Sequence, residues 1–360
     1  MEQASMPESL QGRLRSKYFI RELTLVKSGT FLRRGVILNP LRLIRWRRNI
    51  RGDLAAGSRY SVRMKIIPSE ANFKKWTAIP PTVGDLIFLQ ERDLLLARRL
   101  GFPLYTTEEV RSQSLTLWTL NQRSWYLYAL NRASYCVWLP VGVLESLDPE
   151  LLKKISAIQR RLEVPTLLPS SKLSSVARAR CSHLGRYQWV TSKAWRDSTL
   201  NQKRELLQIW FKHNKIENYA SRDLDQLPQL ARSELRRIRL DSVLNTYLDS
   251  SGPNCFAAVA SAISSGGKEA AQQWLHWKPL ARFLRDQHYR VVKADSPIAA
   301  DVLIFRRKAA FVHAAYFIGG GYYFEMPGQD FYEPYRVEKF ESWRRAWPDS
   351  QLSIYRKTRG

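Results

Sequence analysis

The chain has 360 residues, enough for two domains or for one large domain with an appendage. Hydrophobic residues make up 44% of it and aromatic residues 12%, which excludes an intrinsically disordered protein. Lys and Arg number 58 against 32 Asp and Glu, so the formal net charge is +26. A charge of this size attracts nucleic acid, anionic lipid or an acidic partner, and by itself does not choose among them.

The three cysteines, Cys136, Cys181 and Cys255, form no closely spaced pair, and the five histidines are scattered. This spacing excludes a disulfide framework and a zinc ribbon, so we predict no metal site and no cofactor. The first residues lack the apolar stretch of a signal peptide, and no uncharged apolar run reaches the ~18 residues that a bilayer span needs. We therefore expect a cytoplasmic protein without a transmembrane segment.

The first 82 residues form a basic segment of uncertain fold. Its arginines are interleaved with Leu, Ile and Trp46, and the candidate anion-binding residues are Arg42, Arg45, Arg47, Arg48 and Arg51. One interpretation is a surface that binds an acidic protein, nucleic acid or an anionic membrane. The other is a solvated basic helix that packs its aliphatic side inward.

Residues 83–240 are predicted to be mainly helical. Apolar residues at three- and four-residue spacing predict one helix over "GDLIFLQERDLLLARRLGFP", which ends at Gly101. Thr106 and Glu109 form a capping box for the next helix, and Asp148 followed by Pro149 begins a third. The stretches "NQKRELLQIWFKH" and "LPQLARSELRRIRLDSVLNTYL" continue this helical pattern.

Residues 241–360 contain the candidate catalytic residues. In "SGPNCFAAVASAI", Asn254 is the predicted N-cap of a helix, and Cys255 lies in its first turn. The unpaired N–H groups and the positive end of the helix dipole favour a thiolate at this place. The alternative is that Cys255 is a small buried apolar residue.

Strands follow the helix. "DVLIF" is one strand, "FVHAAYFI" a second, and three glycines, Gly319 to Gly321, join it to "YYFEM". With a three-residue loop, Ile318 faces Tyr322 and Tyr316 faces Phe324. One face of the hairpin then carries Phe311, His313, Ala315, Phe317 and Glu325, with Glu325 a diagonal neighbour of His313 and Gln329 the alternative neighbour. A two-residue loop would move Glu325 to the opposite face.

A cysteine at a helix start and a histidine held by a carboxylate are the parts of a cysteine hydrolase. We predict Cys255 as nucleophile, His313 as base and Glu325, or alternatively Gln329, as the residue that orients the imidazole. The backbone N–H of Cys255 and the side chain of Asn254 are the candidate oxyanion donors. The structural alternative for His313 is a hydrogen-bonded core histidine.

These residues resemble the NlpC-type branch of the papain-like cysteine peptidases and amidases. The segments that match are Cys255 at a helix start, "ADVLIF", and then "VHAAYFIGGGYYFE", within residues 254–355. The resemblance implies an α+β domain in which the nucleophile helix packs on an antiparallel sheet, with Cys255, His313 and Glu325 in the roles given above. Asn254, Ala300 and Glu325 depart from the family pattern. A transglutaminase-like leader peptidase has the same order of Cys, His and acidic residue.

Three functions follow from this sequence. The first is a cysteine peptidase or amidase that cleaves a peptide or amide substrate through a thioester, with the basic region recruiting an acidic partner. The second is an inactive papain-like scaffold in a basic protein that binds nucleic acid or an anionic surface. The third is acyl transfer to an amine or lipid on the same fold.

Overall fold

The computed structural model describes residues 64–79, 84–111, 125, 126, 129, 132–175, 178, 182–184, 186–220, 223–308 and 310–358, which all belong to one compact unit. The arginine cluster Arg42, Arg45, Arg47, Arg48 and Arg51 lies outside the described residues. Its proposed binding of an anionic partner therefore stays a prediction.

The described chain contains both helices and strands, and most of the longer strands follow α10. The helices are α1 (Glu70–Trp76), α2 (Leu94–Leu100), α3 (Thr107–Arg111), α4 (Pro149–Arg161), α5 (Ser192–Asp197), α6 (Leu200–His213), α7 (Gln229–Arg237), α8 (Cys255–Ser264), α9 (Gly267–Ala271), α10 (Trp277–Asp286) and α11 (Trp343–Ala346). The strands are β1 (Met64–Ile66), β2 (Gly84–Leu89), β3 (Leu104–Thr106), β4 (Tyr135–Pro140), β5 (Leu167–Pro169), β6 (Ser182–Leu184), β7 (Tyr187–Trp189), β8 (Asn218–Ala220), β9 (Tyr289–Val292), β10 (Val302–Arg307), β11 (Ala310–Gly319), β12 (Tyr322–Glu325), β13 (Arg336–Lys339) and β14 (Gln351–Lys357).

The predicted helix starts at Thr106 and Asp148 are confirmed by their hydrogen bonds. The Thr106 hydroxyl accepts from the Glu109 N–H at 3.2 Å, and the Glu109 carboxylate accepts from the Thr106 N–H at 2.6 Å. Asp148 accepts from the N–H groups of Glu150 and Leu151 at 3.0 and 3.1 Å, and Pro149 opens α4. Each cap satisfies amides that have no partner within the helix.

The single helix predicted over "GDLIFLQERDLLLARRLGFP" is wrong in its first half. Residues 84–89 form strand β2, and only Leu94–Leu100 is α-helical, ending at Gly101 in the left-handed conformation as predicted. All six residues of β2 are buried. A strand buried on both faces is a continuous apolar run, so its sequence shows neither a period of 2 nor a reliable period of 3.6.

Three small antiparallel sheets lie in the first part of the described chain. Their strand orders are β2-β4-β3, β5-β7-β6 and β1-β8. Helix α4 is tied to β2 by Gln159, whose side-chain amide both accepts from the Phe88 N–H at 2.9 Å and donates to the Phe88 carbonyl at 2.8 Å. This part of the chain therefore contains more strand than its helical periodicity predicted.

Aromatic side chains form the core of this first part of the described chain. Trp210 stacks on Trp125 with ring centroids 4.4 Å apart, and Trp76 stacks on Phe211 at 5.7 Å. Phe331, from the C-terminal part of the chain, packs against Trp76 at 5.0 Å. The segment after β12 thus contributes to the core of the preceding sheets.

The C-terminal part contains one six-stranded antiparallel sheet in the order β13-β12-β11-β10-β14-β9. Helix α8 packs on β11 and β12, and α7 also packs on β11. The core between helices and sheet is made of aliphatic and aromatic side chains, among them Val259, Ile304 and Tyr316. Mixed helices and antiparallel strands make the fold α+β, as predicted.

The glycine turn differs from the predicted loop but keeps the predicted pairing beyond it. Gly319 pairs with Tyr322, so the loop is the two residues Gly320 and Gly321, both with positive φ as a type I′ turn needs. The register shifts between Phe317 and Gly319, because β11 carries one extra residue there. The pairing of Tyr316 with Phe324 is therefore as predicted, although that of Ile318 with Tyr322 is wrong.

A second bulge lies beside His313. Phe305 pairs with His313 and Arg306 pairs with Phe311, so Val312 is the extra residue. The alternation that was expected to put Phe311 and His313 on one face is interrupted between them. Phe311 instead stacks on Trp277 of α10, with ring centroids 3.6 Å apart.

Within the described residues, none of the helices combines the length and apolar character that a bilayer span requires.

Candidate active site

Cys255 is the first residue of α8. The side chain of Asn254 accepts from the Ala257 N–H at 3.1 Å, which makes Asn254 the N-cap as predicted. Residues 251–254 are buried, whereas Cys255 is half-buried. The sulfur therefore lies where the buried turn gives way to a partly open surface, at the positive end of the helix dipole.

The side chain of Asn254 is not positioned as an oxyanion donor. It is only 4% exposed, and its Nδ2 donates to the Leu275 carbonyl at 2.7 Å. The amide therefore joins the start of α8 to the loop before α10, and that prediction is corrected. The backbone N–H of Cys255 remains the candidate donor, because the first amides of a helix have no partner within the helix.

His313 lies on β11 and is 1% exposed. Its ring stacks on Trp347 with centroids 4.2 Å apart and planes 13° apart, and Phe305 approaches it at 5.5 Å. These two aromatic rings fix the plane of the imidazole. The bulge at Val312 sets the direction from which the ring projects, a frequent role of bulges next to active sites.

Glu325 contacts the imidazole from the neighbouring strand, at the position predicted for the orienting residue. Its Oε2 lies 2.9 Å from His313 Nε2, and its side chain is fully buried. The other oxygen, Oε1, accepts from Arg336 Nε at 2.8 Å. Arg336 pairs with Glu325 in the β12-β13 register. Its Nε also lies 3.5 Å from Oε1 of Glu338. A buried carboxylate needs such paired partners to stay charged.

The charges of these groups follow from their contacts. Burial acts to raise the pKa of Glu325, but the Arg336 charge and the hydrogen bonds from His313 and Arg336 outweigh it and lower the pKa to about 2. Burial acts to lower the pKa of His313, but the charge of Cys255, a hydrogen bond with its sulfur and the contacts with Glu325 raise it to about 9. At neutral pH the site therefore holds an imidazolium between a carboxylate and the sulfur.

The two ring nitrogens of His313 have separate partners. Because Glu325 is ionised at neutral pH, it accepts the proton of Nε2. Nδ1 is then the nitrogen left to donate to the Cys255 sulfur. One sulfur, one imidazole and one carboxylate thus form a chain that can move a proton to and from a reacting group.

The alternative orienting residue, Gln329, lies in the bend after β12, where its carbonyl accepts from the Gly252 N–H at 2.9 Å. The orienting position beside Nε2 is held by Glu325. Cys136 is completely buried in β4, where burial and the Glu109 charge raise the pKa of its thiol to about 12, so it suits the structural role predicted for it. Cys181 lies outside the described residues.

Aromatic rings lie near the start of α8 and were not foreseen as part of the site. Trp277 lies 6.0 Å from Phe256, the residue after Cys255, and stacks on Phe311. Trp274, in the loop held by the Asn254 bond, is 40% exposed. Their sequence signal was the "WLHW" cluster next to a helix start, but only tertiary packing shows that it lies beside the first residues of α8.

Arg336 and Trp347 were also missed as site residues. Arg336 could have been inferred from a strand pairing after β12, whereas the stacking of Trp347 on His313 appears only in the folded chain. In the described residues no group of three or more His, Cys, Asp or Glu side chains is arranged to hold a metal ion.

Comparisons of this chain with family models, with curated protein sequences and with solved structures each gave no match.

Proposed function

We propose that the protein is a cysteine hydrolase that cleaves a peptide or related amide through a thioester on Cys255. The observation that carries this proposal is the position of His313, whose Nε2 lies 2.9 Å from Glu325 Oε2 and whose pKa is raised to about 9 chiefly by the neighbouring Cys255. Any donor and acceptor can satisfy the two nitrogens of a core histidine, whereas this one lies between a buried carboxylate and a half-buried cysteine at a helix start. This is the arrangement by which an imidazole activates a nucleophile.

In the acylation step, the Cys255 thiolate attacks the carbonyl carbon and forms the C–S bond. The backbone N–H of Cys255 is the candidate donor to the oxyanion. His313 then gives its proton to the leaving nitrogen, the C–N bond breaks, and an amine departs. The thioester and a neutral imidazole remain, with Glu325 still bonded to Nε2.

In the deacylation step, neutral His313 takes a proton from water, and the resulting hydroxide adds to the thioester carbonyl. The C–O bond forms, the C–S bond breaks, and the thiolate and imidazolium are restored. An amine or alcohol in place of water would give acyl transfer by the same steps.

The same contacts support a papain-like fold of the NlpC type for the C-terminal region. A cysteine-bearing helix packs on an antiparallel sheet that carries the histidine on one strand and the acidic residue on the next, in the order that this resemblance implies. The ring of Trp347 stacks on the histidine, and the stacked rings of Trp277 and Phe311 lie beside Phe256, the residue after Cys255. A substrate with an apolar group beside the scissile bond fits that surface.

Incubation with a mixed peptide library, followed by mass spectrometry of new termini, tests the hydrolase. We expect cleavage by the native protein, none by Cys255→Ala or His313→Ala, and native cleavage by the matched variant Cys136→Ala. Cleavage by Cys255→Ala at the native rate, or no cleaved peptide at all, would contradict the proposal.

The net charge of +26 favours a second candidate, an anion-binding protein with an inactive scaffold. It predicts binding of RNA, DNA or acidic vesicles that weakens steeply with salt and is unchanged in Cys255→Ala.

A further inference from the structure

An open surface cavity of about 600 Å³ lies between α2 and α4, in the part of the protein that contains β2. It is not lined by any residue of the candidate active site. Its lining consists of Arg92, Asp93, Leu95, Leu96, Arg98, Arg99, Lys154, Ala157 and Ile158. Four of these are aliphatic and four are cationic, so the cavity combines an apolar floor with a basic rim.

The walls of this cavity are held in place. Gln159 of α4 bonds both backbone groups of Phe88 in β2. Arg161 of α4 bonds Asp93, the residue before α2, at 2.6 Å. These hydrogen bonds fix the positions of both helices at the cavity. The cavity therefore has its shape before any ligand binds. Preformed sites lose less entropy on binding than sites that must be ordered.

The positive charge of the rim is not compensated by neighbouring side chains. In the described part of the chain, Arg92, Arg98, Arg99 and Lys154 make no ion pair with a carboxylate. Asp93, the acidic residue of the lining, is already paired with Arg161. Four cations thus surround the cavity with no protein counter-ion among the described residues, while Leu95 is 73% exposed beside them.

We propose that this cavity binds an acidic peptide segment that carries an apolar anchor residue, supplied by a partner protein or a substrate protein. Carboxylates on either side of the anchor pair with the basic rim, and the anchor fills the space over Leu96, Ala157 and Ile158. Helix-in-groove recognition has this form, with apolar anchors on one face and complementary charge at the edges.

Nucleic acid fits the cavity less well. Its described lining includes no aromatic ring on which a base could stack, and its floor is aliphatic. A flat anionic membrane would meet the rim but leave the recessed floor unfilled. The acidic peptide is the ligand class that uses both the charge and the floor.

Fluorescence anisotropy tests this proposal with a labelled peptide in which two leucines at helical spacing are flanked by glutamates. We expect Arg98→Glu with Arg99→Glu to raise its Kd by about tenfold or more, because two attractive charges become repulsive. Lys154→Glu, on the other helix, should weaken binding in the same direction. The matched control is Lys212→Glu with Lys215→Glu, which reverses the charge of two exposed lysines that do not line the cavity. It should leave the Kd unchanged.

A peptide with serines in place of the leucines should bind at least several-fold more weakly. The proposal is overturned if the control reversal weakens binding as much as the cavity reversal, which would mean that charge alone is recognised. It is also overturned if the serine peptide binds equally well, or if single-stranded RNA or phosphatidylserine vesicles bind more tightly and lose affinity in the cavity variants. Thermal melting of each variant confirms that it is folded, and peptide cleavage by the Arg98→Glu, Arg99→Glu variant should remain native for small substrates.

Discussion

The Oε2 atom of Glu325 lies 2.9 Å from Nε2 of His313, across two neighbouring strands and with both side chains almost completely buried. Two bulges in β11 bring these two side chains together. The one near the turn restores the pairing of Tyr316 with Phe324, and the one at Val312 redirects the strand before His313. A buried charged pair of this kind is costly unless every charge is met, and Arg336 completes the set.

Replacing Glu325 by Gln should slow the alkylation of Cys255 at neutral pH. The amide keeps a hydrogen bond to His313 but not the negative charge that helps to raise the pKa of the imidazole to about 9. The imidazolium that stabilises the thiolate is then less populated, and we expect a rate loss of about tenfold or more. Glu338→Gln is the matched control, since Glu338 contacts Arg336 but not His313. Equal slowing in both variants would contradict a specific role for Glu325.

Replacing Arg336 by Met should destabilise the protein by about 3 kcal/mol, because it leaves the Glu325 carboxylate without its cation in a buried place. Urea unfolding measures the change. The exposed pair of Lys65 and Glu217 provides the comparison, and Lys65→Met should cost less than about 1 kcal/mol. Similar small losses in both variants would mean that Glu325 is not held by Arg336.

The stability that His313 contributes should fall as the pH rises. The folded pKa of His313 is raised from 6.5 to about 9, so its contribution is fully present below about pH 6.5 and is lost as the pH passes through about 9. Urea unfolding of the native protein and of His313→Gln should therefore show a difference in unfolding free energy that shrinks over this range. His213, whose pKa is lowered chiefly by burial, provides the opposite case, since its contribution is lost as the pH falls. A pH-independent difference for His313→Gln would contradict the raised pKa.

Replacing Trp347 by Ala should cost about 3 kcal/mol or more, because the indole is 4% exposed and stacks on His313. Trp347→Phe keeps an aromatic ring over the imidazole and should cost less than half as much. Trp274→Ala removes a 40% exposed indole and serves as the control, with a loss of about 1 kcal/mol or less. If Trp347→Phe and Trp347→Ala cost the same, the stacking on His313 contributes no stability.

Local sequence signals predicted the parts of the site that depend on nearby residues. Asn254 caps α8 because its side chain reaches the Ala257 N–H three residues on. The change from helical to strand periodicity after α10 predicted β10 and β11, and a tight glycine turn predicted that Glu325 would return beside His313. That last prediction succeeded although the loop length was wrong, because the bulge near Ile318 offsets the shorter turn.

Other features depend on contacts that periodicity cannot reveal. Strand β2 was taken for helix because both of its faces are buried, which removes the alternation that marks a strand. Asn254 was assigned to an oxyanion hole, but its Nδ2 is engaged by the Leu275 carbonyl, a contact set by how α10 packs against α8. Arg336 and Trp347 reach His313 and Glu325 only through the pairing of β12 with β13 and the packing of α11.

The most direct test of the proposed pairing is the rate of Cys255 alkylation by iodoacetamide as a function of pH, with the modified peptide identified by mass spectrometry. The native protein should react rapidly well below the pH at which an ordinary thiol becomes reactive. His313→Ala should require the pH of an ordinary thiol, and the matched His213→Ala should behave like the native protein. If His313→Ala keeps the native profile, the sulfur and the imidazole do not act as a pair, and the hydrolase is contradicted.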